Sequence, residues 1–239
     1  MCRVRGAIAE PRFVWGSALL ALRTHPALET SLLLEIGRRQ AAVLGKRIAS
    51  FERASLYKGD ANADLVNLVS AQVPRRAPCF CLLDPPGLQL RWETLRGLAT
   101  IPGRPRKPEL LITFPLRMAI LRQLTVARQI GRAASALVSA SFGTEEWRAI
   151  YNARLRGQVS PTRAKGAYLE LFEGRVRQLG YRAVRSKAIV APKVMGGARQ
   201  EMYHLIFATD HPAGDEIMQD VFERPYFLDF PKSAQRALF

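Results

Sequence analysis

Cysteine and histidine are scarce in this chain. Only Cys2, Cys79, Cys81 and three histidines stand among its 239 residues. No second cysteine pair or nearby histidine completes the ligand set of a structural zinc site, so no metal is expected. Cys79 and Cys81 fall two apart in an apolar run, where small core residues are the plainer role. No unbroken apolar run approaches the roughly 20 residues of a membrane helix, and no leader-like segment with a cleavage site opens the chain. A reducing cytoplasm and no membrane are the expectations. No serine or cysteine sits in a recognisable nucleophile motif, which argues against hydrolytic chemistry. Repeats and low-complexity tracts are missing too.

Acidic side chains are also in short supply: 20 against 36 basic ones, leaving a formal charge of +16 and a pI near 10.7. Such a field attracts polyanions, nucleic acid first, with an acidic protein or anionic surface behind it. An arginine-favouring composition bias also contributes to such an excess. With 48% hydrophobic residues the chain can bury a full core, and one domain over residues 1–239 is the simplest organisation.

Short apolar runs recur, each closed by a turn signal and followed by helical spacing. "SLLLEIG" (31–37) precedes "RRQAAVLGKRIASF"; Ala54 to Lys58 precede a helix that Asp60 or Asn62 can cap. "CFCLLDPPGL" (79–88) precedes "QLRWETLRGLA", and "ELLITFP" (109–115) precedes a long helical stretch from about Leu116 to Ala140. This alternation predicts an α/β fold with a doubly wound, mostly parallel sheet. The run Cys79 to Leu83 does not alternate, which suits a strand covered on both faces. Residues 141–185 read as a helical insertion, with Trp147, Ile150 and Tyr151 on one helix and Leu169, Phe172, Val176 and Leu179 on the next. Two extended stretches, 188–194 and 202–210, flank "MGGARQ" as a closing antiparallel hairpin.

Pro85 and Pro86 cannot extend a strand, so Asp84 stands at its carboxyl end, the edge where open α/β sheets bind ligands. It serves either there or as a turn cap. The rigid basic loop "IPGRPRKP" (101–108) supplies Arg104, Arg106 and Lys107; with Arg117, Arg122, Arg128 and Arg132 these form a phosphate-binding surface or a solvated face. His204, inside an extended apolar run, reads as a core or edge histidine.

Taken in order, "WGSALLAL", "LLLEIGRRQAAVL", "YKGDANADL", "LLDPPGLQLRWETLRGLA", "LLITFPLRMAILR", "FGTEEWRAIY" and "YHLIFATDHPAGDEIMQDVF" resemble the three-Cys-motif partner protein family, TcmP. That family is similar to class I S-adenosylmethionine-dependent methyltransferases and is named for a neighbouring three-cysteine protein. The resemblance implies a Rossmann-like methyltransferase sheet, S-adenosylmethionine as cofactor, and the three-Cys-motif protein as partner beside nucleic acid. It implies cofactor contacts at Gly16, Ser17, Glu35 and Asp60, with Glu35 accepting ribose hydroxyls and Asp60 the adenine amino group. The residues alone leave Glu35 as a solvated strand end and Asp60 as a helix cap.

The segment Asp84, Pro85 and Pro86 resembles the Asp-Pro-Pro-aromatic motif of amino-methyltransferases, in which the carboxylate and the first proline carbonyl hold an amine for methylation. Gly87 stands where the motif has a ring. The resembled family also opens with a strand and an Asp-Phe-Ala-Gly-Pro-Gly-like loop, whereas Met1 is followed at once by sequence like that downstream of the loop. A missing first strand is therefore expected, through a start placed too late, a substitute amino segment, or decay. The rival reading is a non-catalytic basic partner that binds nucleic acid or the three-Cys-motif protein.

Overall fold

Four of the apolar runs form strands where the sequence puts them: Ser31–Glu35 (β1), Ala54–Lys58 (β2), Phe80–Leu83 (β3) and Glu109–Phe114 (β4). A computed structural model of the chain describes residues 16–124, 129–191 and 200–224. It is an α/β protein of two compact units, residues 1–61 and 62–239.

In the first unit β1 and β2 pair in parallel, from Ser31 opposite Ala54 to Glu35 opposite Lys58. The short helix Ser17–Ala21 (α1) precedes them and Arg38–Ile48 (α2) makes the crossover. Lys46 and Arg47 in the last turn of α2 face the negative end of its dipole. Ala41 and Ile48 are its buried residues.

The second unit carries a four-stranded sheet ordered β3-β4-β6-β5, with Ala183–Ala191 as β5 and Gln200–Thr209 as β6. Only β3 and β4 are parallel; β6 runs antiparallel to both of its neighbours. Strand β5 starts before the stretch expected from hydropathy. Its Arg185 is paired with Asp215 and its Lys187 donates to the Phe222 carbonyl, both on helix Pro212–Glu223 (α9). These charged side chains therefore belong to a covered sheet face. The hairpin turn falls mostly outside the described residues.

Helices Trp92–Ala99 (α4), Arg132–Phe142 (α6), Trp147–Leu155 (α7) and Pro161–Gln178 (α8) share one core with the sheet. Residues 141–185, expected as a helical insertion, supply Phe142, Trp147, Tyr168 and Phe172 to that core. Phe114 stacks on Phe172 at 4.2 Å between centroids, and Phe142 and Trp92 meet Phe172 edge-on. Helix Ala61–Gln72 (α3) adds Val69.

Two expectations are corrected. The long helix after β4 is broken: a π-helical turn, Leu116–Ile120, follows Pro115 and runs into Leu121–Gln123 (α5), and a separate helix begins after Gly131, whose backbone is extended. Strand β3 is not covered on both faces: Cys81 and Leu83 are buried, while Phe80 and Leu82 are 48% and 40% exposed. Among the described residues it is an edge strand of its sheet, and α9 covers the same face over β5 and β6, reaching β4 where Gly214 lies against Glu109. Among the described residues, no helix is long and apolar enough to cross a membrane.

Candidate functional site

Parallel pairing brings the carboxyl ends of β1 and β2 to one edge, and there the first unit sets Glu35 and Asp60. Glu35 is half-buried; its Oε1 accepts the Gly37 amide at 2.7 Å, and its own carbonyl accepts the Gly59 amide at 3.2 Å. Among the described residues its Oε2 has no protein partner. The Gly37 amide therefore fixes the carboxylate and leaves Oε2 to accept from a further donor. Asp60 follows Gly59 and immediately precedes α3. Gly16 and Ser17 are exposed at the start of α1, which has only five residues.

In the second unit the carboxyl ends of β3 and β4 carry Asp84 and Pro115, and antiparallel β6 starts at the same edge, Phe114 pairing with His204. Tyr203 is therefore delivered beside the Asp-Pro-Pro turn. Burial pushes its phenol above the ordinary value, and the Asp84 carboxylate pushes it further. This tyrosine is the aromatic neighbour that sequence spacing missed. Pro85, Gly87, Phe114, Pro115 and Phe172 line a cavity of only about 10 Å³, the space of one water. Asp84 itself is exposed.

The turn is held from behind by a residue expected to cap α3. Asn62 lies inside the first turn of α3; its Nδ2 donates to the Gln89 carbonyl at 2.8 Å, and its Oδ1 accepts from the Arg91 amide and the Thr94 hydroxyl, both at 2.9 Å. Arg91 has no capping side chain of its own, so Asn62 satisfies the start of α4 from a distant part of the chain.

The predicted basic surface separates into two groups at opposite ends of β4. Before the strand, Arg104 donates to the carbonyls of Ala77 (2.6 Å), Val73 and Pro74 (both 3.4 Å). Lys107 pairs with Asp210 at 2.9 Å and reaches the Gly180 carbonyl at 3.0 Å, leaving Arg106 exposed. After the strand, Arg117 and Arg122 are both exposed. Arg128 lies outside the described residues. Arg132 lines a second cleft of about 360 Å³ with Ser135, Arg148, Tyr151 and Asn152; Arg148 there already bonds Ser135 and Glu145.

His204 is buried, its Nε2 3.0 Å from Glu201 Oε1, and Glu201 also accepts from Lys165 at 2.7 Å. Burial raises the Glu201 carboxyl, but Lys165 and His204 together outweigh it and leave the group below its ordinary value. Among the described residues, no three metal-ligating side chains gather. No family model matches the chain, and no curated protein matches it.

Proposed function

We propose that this chain is a methyltransferase-like protein of the three-Cys-motif partner family, with a doubly wound Rossmann-like sheet that uses S-adenosylmethionine and acts on nucleic acid. The observation that carries the reading is the set of carboxylates at carboxyl ends of parallel strands: Glu35 and Asp60 in the first unit, Asp84 in the second. The order β3-β4-β6-β5, with antiparallel β6 next to β4, supports the same reading.

In this reading Glu35 accepts a ribose hydroxyl at Oε2 while Gly37 holds Oε1, and Asp60 accepts an adenine amino hydrogen. When bound, S-adenosylmethionine supplies an electrophilic methyl group. The Asp84 carboxylate and the Pro85 carbonyl accept the hydrogens of an acceptor amine and aim its lone pair. Tyr203 provides an aromatic surface where Gly87 has none. Calorimetric titration with S-adenosylmethionine tests the proposal: saturable heat is expected, weakened at least about tenfold in Glu35→Ala, the loss of one charged hydrogen-bond acceptor. The absence of both heat and thermal stabilisation in the unaltered protein would overturn it.

The charge excess of +16 and the exposed Arg106, Arg117 and Arg122 favour a second reading, a non-catalytic basic partner that binds nucleic acid or the three-Cys-motif protein. Nucleic-acid affinity that falls with salt, without any heat from the cofactor, would favour it.

A further inference from the structure

Cys79 and Cys81 sit where β3 begins, on the buried face of that strand. Their sulfurs are 3.9 Å apart and share an S–H hydrogen bond. One thiol is reachable and one is not: Cys79 is half-buried and Cys81 is buried. Beside them stands Arg104, whose charge favours the anion at both sulfurs. Its guanidinium is tied to the carbonyls of the 73–77 segment, and its buried Nε–H has no acceptor among the described residues. Tyr181 is the other titratable neighbour. Its hydroxyl donates to the Pro108 carbonyl at 2.8 Å, and burial, its largest influence, keeps the phenol neutral. No third metal-ligating group joins the pair among the described residues.

We propose that Cys79 and Cys81 are a redox-active dithiol, closed to an intrachain disulfide by a low-molecular-weight disulfide of the glutathione type. The two thiols have unlike roles. Hydrogen bonding from Cys81, helped by Arg104 and opposed by burial, lowers Cys79 to about 7. Acting as the donor, together with burial, pushes Cys81 well above the usual thiol range. Cys79 is therefore the nucleophile and Cys81 the resolving thiol.

The Cys79 thiolate attacks one sulfur of the small disulfide, whose S–S bond breaks; one thiolate leaves with the electron pair and the other half stays on Cys79 as a mixed disulfide. Cys81 then gives its proton to the departed thiolate or to water. Its sulfur attacks Cys79 Sγ and expels the second small thiolate. Two protein thiols are oxidised and one disulfide is reduced to two thiols, so the electrons balance.

Closing the bond brings the sulfurs from 3.9 Å to about 2.05 Å. Residues two apart in an extended strand have Cα atoms about 6.6 Å apart, near the upper limit for a disulfide of roughly 6.8 Å. That separation is within the range a disulfide spans, so the bond can close on this backbone and reopen by the same exchange, a switch rather than a staple. The pull falls on the segment whose carbonyls Arg104 holds.

The test uses the full chain carrying Cys2→Ser, reduced and then exposed to oxidised glutathione. Intact and peptide mass spectra should show loss of two hydrogens on the peptide containing residues 79–81, reversed by reduced glutathione. With Cys81→Ala added, a stable glutathione adduct should accumulate on Cys79. The alkylation of Cys79 by iodoacetamide gives an independent readout. Without Cys81 its rate–pH midpoint should rise from about 7 towards about 8.5. The thiolate fraction at pH 7 then falls roughly 15-fold, and the greater nucleophilicity of a more basic thiolate leaves a net slowing of about threefold. Arg104→Ala should shift the midpoint the same way, and Arg104→Lys should largely restore it. A lasting adduct on Cys79 with Cys81 present, or no reaction at either sulfur while Cys79 alkylates freely, would overturn the proposal.

Discussion

Lys107 Nζ lies 2.9 Å from the Asp210 carboxylate, and its ammonium is 5.4 Å from the Tyr181 ring centroid. A lysine in a basic proline-rich loop is thus bound inward, to the end of β6 and the start of β5. Lys107→Ala should cost about 1 kcal/mol, the scale of a partly exposed ion pair with a cation–π contact, read as a lower urea midpoint at unchanged m-value. The neighbouring Arg106, exposed, should leave the midpoint unmoved when replaced by alanine.

The same separation makes a prediction about polyanions. Arg117 and Arg122 are exposed after β4. Were nucleic acid to engage that side, each arginine-to-alanine change should lower the salt slope of binding by about 1, whereas Lys107→Ala should leave it unchanged. Equal effects from all three would instead restore the single basic surface that the sequence suggests.

Much of the strand layout was legible because glycine and proline close the runs: Gly37 after Glu35, Gly59 after Lys58, Pro85 after Asp84, Pro115 after Phe114. What the sequence hid depends on pairing between distant segments. Phe80 and Leu82 read as buried because apolarity marks both faces of β3 alike, and only strand order reveals an edge. Tyr203 comes within electrostatic reach of Asp84 through the antiparallel return of β6, which no local spacing encodes. Asn62 looked like a cap for its own helix, yet its partners Gln89, Arg91 and Thr94 lie beyond β3. Arg104 and Lys107 looked like solvated charge because their acceptors, the carbonyls of residues 73–77 for the first and the Asp210 carboxylate with the Gly180 carbonyl for the second, lie far off in sequence.

Acid should expose the cluster behind β6. Glu201 is held below the ordinary carboxylate value in the folded chain, so its contribution to stability is present above that value, about 4.3, and is lost as pH falls through the lower folded one. The stability gap between the unaltered protein and Glu201→Gln should therefore be widest near neutrality and shrink below about pH 4.3. Urea unfolding across that range checks it; a gap independent of pH would remove the Lys165–Glu201–His204 cluster from the account.

Two glycines in the helical layer should respond in opposite directions to the same methyl group. Gly143 ends α6 with φ +65°, and a Cβ there would collide with the Trp92 ring, over which the Arg175 guanidinium lies at 4.6 Å while it donates to the Gly143 carbonyl. Left-handed strain and the collision act together, so Gly143→Ala should cost roughly 2–5 kcal/mol. At Gly174, inside α8, nothing lies within 4 Å of the place a methyl group would take. Alanine there removes only backbone freedom from the unfolded chain and should add about 0.5–1 kcal/mol. Urea midpoints of the two variants give the comparison directly. Equal effects would mean that Trp92 does not pack over the end of α6, and with it would go the aromatic stack that positions Phe114 beneath the Asp84 turn.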